Sequence, residues 1–175
     1  MLPEQAYRVN LFATLLLVTL ACSLGGCAGP RFENGVLRKG GLQYTIGSPP
    51  AGFRKVALSG NDLAFLSTDS PHSIAVNASC AEHGDPPLQT LISHLLMGFT
   101  DRETLEESLG TLDGREALRA HYRAKLDGVP FELLLVVTKK NGCVYDFTYC
   151  SPPGRLEEHL APFETLLANF RTGDL

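Results

Sequence analysis

The sequence predicts an α+β domain built on a mostly antiparallel sheet with helices packed against it. Three observations carry this. Leu118, Ala120, Tyr122, Ala124 and Leu126 alternate with Arg119, His121, Arg123 and Lys125, the period-two pattern of a strand with one apolar face. Asp127-Gly128 and Asn141-Gly142 divide the segment after Leu118 into three antiparallel strands, since these pairs accept the positive φ angles of two-residue hairpin turns. Leu88, Leu91, Ile92, Leu95, Leu96 and Phe99 recur at helical spacing as one broad stripe that needs a sheet to lie on.

In chain order, Leu42 to Ile46 reads as a short strand, Phe53 to Leu58 as a second and Leu63 to Thr68 as its return. Ile74, Val76, Ala78 and Cys80 alternate with Ser73, Ala75, Asn77 and Ser79, giving another strand with one apolar face. Asp85-Pro86-Pro87 starts the helix, because proline is tolerated where the first turn has no backbone partner to lose. Glu103 to Leu112 reads as a strand that turns at Asp113-Gly114 into the meander. The first hairpin register sets Tyr122 opposite Leu133 and Arg123 opposite Glu132, a cross-strand charge pair. The second puts Tyr145, Phe147 and Tyr149 on the face of Leu134 and Val136. Phe131 to Thr138 is then apolar on both sides, so both faces of the sheet require cover. A last helix carries Leu156, Leu160, Phe163, Leu167 and Phe170, and Pro162 within it predicts a kink or two pieces. Gly173 closes it.

The amino-terminal stretch is of another kind. A polar start with Arg8 precedes an apolar run from Leu11 to Ala21, and Leu24-Gly25-Gly26-Cys27 follows. At about 11 residues the run is short of the roughly 20 that span a bilayer, and it suits a signal peptide. Leu24 to Cys27 resembles the lipobox of bacterial lipoproteins, which implies cleavage before Cys27 and lipid on its thiol. Cys22 is a poorer match, since Thr19 stands where Leu24 stands for Cys27. The competing reading is an ordinary secretory signal cleaved near Ala21 or Gly26. Ala28, where an aspartate would favour inner-membrane retention, points to the outer membrane, facing the periplasm. The division expected is residues 1–26 signal peptide, 27–41 tether and 42–173 domain, the tether being rich in glycine and charge without apolar periodicity.

Apolar residues make up 44% of the 175 and charged residues 19%, a globular composition. The net charge of -4 argues against a nucleic-acid partner, which needs clustered positive charge. Beyond the leader the cysteines are Cys80, Cys143 and Cys150. Seven strand steps put Cys143 and Cys150 about 23 Å apart, too far for a bridge. Cys80 is therefore a partner in any disulfide, and Cys143 is favoured because it, like Cys80, abuts a loop. A fully reduced state stays open.

The order strand pair, helix, long meander through Thr111-Leu112-Asp113-Gly114-Arg115-Glu116-Ala117, and Phe-rich last helix ending Ala168-Asn169-Phe170-Arg171 resembles the Mog1/PsbP-like fold over about Leu42 to Arg171. The resemblance implies an α-β-α sandwich and a non-catalytic accessory role. It transfers no functional residue.

Candidate chemistry is sparse. Cys80, His83 and His72 supply three groups of the kind that hold a metal, short of the four of a structural zinc site, so no metal is expected. Asp146 lies in the register between Val144 and Thr148, on the face of Leu118 and Tyr122, where burial raises a carboxyl pKa and suits it to serve as the general acid of an enzyme. The alternative is a carboxylate near the sheet edge that accepts hydrogen bonds. Arg119, His121 and Arg123 form a possible anionic-ligand face, against a salt-bridged face as the plainer reading. His94 sits at the border of the helical stripe. Asn77-Ala78-Ser79 has the spacing of a glycosylation acceptor, irrelevant in a bacterial lipoprotein. With no nucleophile elbow, phosphate loop or paired carboxylates, neither an enzyme nor a cofactor is expected. The function expected is a membrane-anchored envelope lipoprotein with a protein partner. The alternative is a small-molecule or lipid carrier with a pocket between sheet and helices.

Overall fold

The computed structural model describes residues 29–80 and 84–173, so the signal peptide, Cys27 and His83 lie outside the described residues. Two sheets form. The smaller joins β1 (Arg31–Glu33), β2 (Val36–Lys39), β3 (Leu42–Thr45) and the terminal β11 (Arg171–Thr172), in that order. The larger has β4 (Phe53–Val56), β5 (Leu63–Ser67), β6 (Ser73–Ser79), β7 (Phe99–Leu112), β8 (Arg115–Leu126), β9 (Val129–Lys140) and β10 (Cys143–Ser151), ordered β4-β5-β6-β10-β9-β8-β7. Every pairing is antiparallel. After β6 the chain crosses one face as helix α1 (Leu88–Leu95), enters the far edge as β7 and meanders back until β10 lies beside β6.

The hairpins follow from their turn residues. Asp113-Gly114, Asp127-Gly128 and Asn141-Gly142 all have positive φ at both positions. The registers are those of the sequence: Tyr122 opposite Leu133, Arg123 opposite Glu132, and Phe147 opposite Val136. Leu133 to Val137 on β9 are all buried because each face of the large sheet carries its own core. On one side Leu134, Val136, Tyr145, Phe147 and Tyr149 meet Phe163, Leu167 and Phe170 from the C-terminal helix, together with Leu37, Tyr44 and Ile46 from the small sheet. On the other, Leu118, Ala120, Tyr122, Leu133, Leu135 and Val137 meet Leu88, Ile92 and Leu96 of α1. Each such side chain contributes about 1.5–3 kcal/mol before entropy is subtracted. The order is helix, sheet, helix, with the small sheet sharing the second helix's side.

Three expectations are corrected. Residues 31–39 are not tether: β1 and β2 form a hairpin on Asn34-Gly35, and Leu37 is fully buried. Gly35 also needs its lack of a side chain, since a Cβ there would stand 2.5 Å from the Gly47 carbonyl oxygen. Phe99 does not belong to the helix. Gly98, at φ 88°, breaks the helical path and Phe99 opens β7 opposite Leu126. The C-terminal helical stretch is in two pieces, as Pro162 predicts, a 3-10 turn (Leu156–His159) and α2 (Leu160–Asn169), but it ends before Phe170, which the sequence reading placed in the helix. Pro162 stands in the first turn of α2, where its missing N–H breaks no bond. Phe170 leaves the helix in an extended conformation and leads into β11.

Candidate functional site

Helix α1 spans only eight residues and rests on β8 and β9. β10 lies beyond it, and a groove of about 340 Å³ opens where the helix stops short. Leu91 and Leu95 form its helix wall, Val137 and Val144 its floor, and Pro86 one end, with Ser79, His94 and Asp146 supplying polar groups. The volume falls in the lower part of the range for small-molecule sites.

Asp146 is the charged group in this apolar wall. It is paired with Val137 of β9 on one side and Asn77 of β6 on the other, so it sits inside the sheet and not near an edge. Its Oδ1 accepts a hydrogen bond from Asn77 Nδ2 at 2.9 Å. The amide of Asn77 is oriented from both ends: its Nδ2 also reaches Asn61 Oδ1 at 3.3 Å, and its Oδ1 accepts from the Asp62 backbone N–H at 3.0 Å. Asp62 in turn accepts from Lys39 Nζ at 2.6 Å and from the Ala78 backbone N–H at 2.9 Å. Burial pushes the Asp146 carboxyl up to about 6; the nearby Asp62 adds to this, while the Asn77 hydrogen bond and Lys39 oppose it. Chemically, the arrangement is a carboxyl that changes charge near neutral pH at the side of an apolar groove. His94 is exposed at the groove's rim.

The cluster that Asn77, Asp62 and Lys39 form beside Asp146 escaped the sequence reading. Their meeting depends on β6 pairing with β10 and on the small sheet reaching β6, contacts between segments far apart in the chain.

On the cationic strand face the arginines are paired with carboxylates. Arg119 pairs with Glu164 of α2 at 2.5 Å, and Arg123 pairs with Glu103 at 2.8 Å and Glu132 at 3.5 Å. His121 Nε2 faces the same Glu132 at 4.0 Å. Of the cysteines, Cys80 and Cys143 are joined by a disulfide with Cα atoms 4.1 Å apart. Cys150 keeps its thiol, which burial pushes up to about 11, so it packs and does not attack.

Of the three metal candidates, His83 lies outside the described residues, and the other two are engaged elsewhere. Cys80 is in the disulfide, and His72 is buried with Nδ1 on Ser70 Oγ at 2.8 Å and Nε2 on the Arg155 carbonyl at 3.0 Å. Glu158 and His159 also lie near His72, but both of its nitrogens are committed and Glu158 is held by Arg155 through two bonds of 2.6 Å.

The fold has solved counterparts. CyanoP, the cyanobacterial PsbP of Synechocystis sp. PCC 6803, superposes with a TM-score of 0.52 at 16% identity, over 86% of this chain and 99% of that one. The fold is PsbP-like. A Pseudomonas aeruginosa protein of unknown function, PA94, gives 0.51 at 14% identity over 85% and 100% of the two chains. LpqN, described as involved in cell envelope biogenesis of Mycobacterium tuberculosis, gives 0.54 at 12% identity over 73% and 82%. No family model matches the chain, and no curated protein matches it by sequence. Among the described residues, no helix of this PsbP-like domain is long and apolar enough to cross a membrane.

Proposed function

We propose that the chain is a non-catalytic accessory module of a bacterial cell envelope, held at the periplasmic side of the outer membrane by lipid on Cys27. It docks a protein partner through an apolar tip. The observation that supports docking is the tip itself: Met97, Leu126 and Val129 are 69%, 38% and 53% exposed. Leu126 and Val129 face each other across the Asp127-Gly128 turn, and Gly98 brings the end of α1 beside Leu126. Large apolar side chains gathered in one place mark interaction sites more than scattered ones do. The envelope setting draws on the lipobox and on the likeness to LpqN, a protein involved in cell envelope biogenesis.

A photo-crosslinking residue placed at Val129, with one at exposed Ser59 as control, tests this in cells. One dominant envelope protein attached at 129, absent at 59 and lost with Leu126→Lys, is the result expected. The same products at both positions would overturn the docking site.

A second reading, a small-molecule or lipid carrier, is favoured by the groove beside α1. Native mass spectrometry of the purified chain tests it: a retained small molecule supports a carrier, and a bare protein mass speaks for the adaptor alone.

A further inference from the structure

The groove beside α1 holds a carboxylate that packing does not require. Val144, two residues earlier on the same face of β10, is apolar, as are Leu91, Leu95 and Val137 around it. Placing a carboxylate among such groups costs free energy unless it has partners. One oxygen of Asp146 is bound by Asn77, whose amide is held in that orientation by Asn61 and Asp62. The nearest cation of the cluster, Lys39, is committed to Asp62 Oδ1 and the Ala78 carbonyl. What the groove presents is therefore an apolar channel with one anionic hydrogen-bond acceptor at its side.

We propose that this groove binds a small aliphatic amine, with its ammonium on Asp146 and its chain against Leu91, Leu95, Val137 and Val144. The proposal rests on the carrier reading only for the place where a ligand enters. A carboxylate ligand would meet Asp146 as a like charge, with Asp62 behind it. A neutral alkyl ligand would cover the carboxylate without pairing it. An ammonium satisfies both the charge and the acceptor.

The groups facing Asp146 are Asn77 of β6, Asp62 before β5, Lys39 of β2 beyond Asp62, and His94 across the groove on α1. Lys139 of β9 is tied to Asp85 at the same end of the sheet. Protonation of Asp146 removes the anion, so acidification weakens amine binding. Burial places the Asp146 step at about 6.

The test is calorimetric titration of the full chain with hexylamine, hexanol and hexanoate, near pH 7.5 and near pH 5, for the parent and Asp146→Asn. The result expected is hexylamine bound at least about tenfold more tightly than hexanol near pH 7.5, with hexanoate weakest. That preference should disappear near pH 5 and in Asp146→Asn. Equal binding of hexylamine and hexanol, unchanged by Asp146→Asn, would overturn the ammonium site and leave the carrier reading standing. An amine preference that survives Asp146→Asn would place the amine elsewhere and also overturn it. Binding of none of the three would overturn both.

Discussion

Asp113 Oδ2 accepts hydrogen bonds from both the backbone N–H and the hydroxyl of Thr172, at 2.9 and 3.0 Å, clasping the end of the chain to the turn between β7 and β8. Lys140 Nζ joins the same oxygen at 2.8 Å. Burial alone would raise the carboxyl, but these bonds outweigh it and hold its pKa below the usual range. The stability it contributes is therefore present above the ordinary carboxylate value of about 3.9 and is lost as pH falls through the lower folded value. Asp113→Ala should cost about 2–3 kcal/mol near neutral pH, with the gap to the parent narrowing in acid. Urea unfolding at several pH values measures it; an Asp113→Ala variant as stable as its parent near pH 7 would dismiss the clasp.

Asp146 has the opposite sign. Its folded value of about 6 lies above the ordinary one, so between about 4 and 6 the folded chain holds a proton that the unfolded chain has released, and stability falls as pH rises. Asp146→Asn keeps an acceptor for Asn77 and removes the charge. The variant should gain about 1–2 kcal/mol over the parent near pH 7 and nothing near pH 4. Parallel denaturant curves at the two pH values decide it; a variant less stable near pH 7 would show that the carboxylate is stabilised as an anion.

The Cys80–Cys143 bridge closes a separation of 63 residues, at the seam where β10 joins β6. Constraining so long a loop in the unfolded chain should contribute about 2–4 kcal/mol. The double variant Cys80→Ala, Cys143→Ala, and the parent under reductant, should lose similar amounts in thermal unfolding. A midpoint indifferent to reductant would contradict this.

The anchor we propose is lipid on Cys27. Each buried methylene of an acyl chain contributes about 0.8 kcal/mol, so the several chains of a lipoprotein give lasting attachment. Cys27→Ser should move the protein from the membrane pellet to the soluble fraction of lysed cells. Retention in the pellet would remove the lipid from the account.

The meander was legible because its information is local. Asx-Gly turns set the hairpins, and strict alternation in Leu118 to Leu126 set which face is buried. The hairpin at Asn34-Gly35 carries the same signal, but Arg31, Glu33, Arg38 and Lys39 surround it with charge and mask the strands. Phe99 continues the helical spacing of α1, and only the backbone break at Gly98 removes it from the helix. For the groove, register alone placed Asp146 on the right face. Its partners were not legible, because the pairing of β6 with β10 is a choice between distant strands that no local pattern encodes.

The strands that replace the expected tether change the reach of the anchor. β1 begins at Arg31, four residues after Cys27, and four residues of extended chain span at most about 14 Å. With lipid on Cys27, as proposed, the small sheet would start within about 14 Å of the lipidated residue, on a leash too short to let the domain sweep through the periplasm. Whatever it meets has to be membrane-bound itself or come down to the membrane surface.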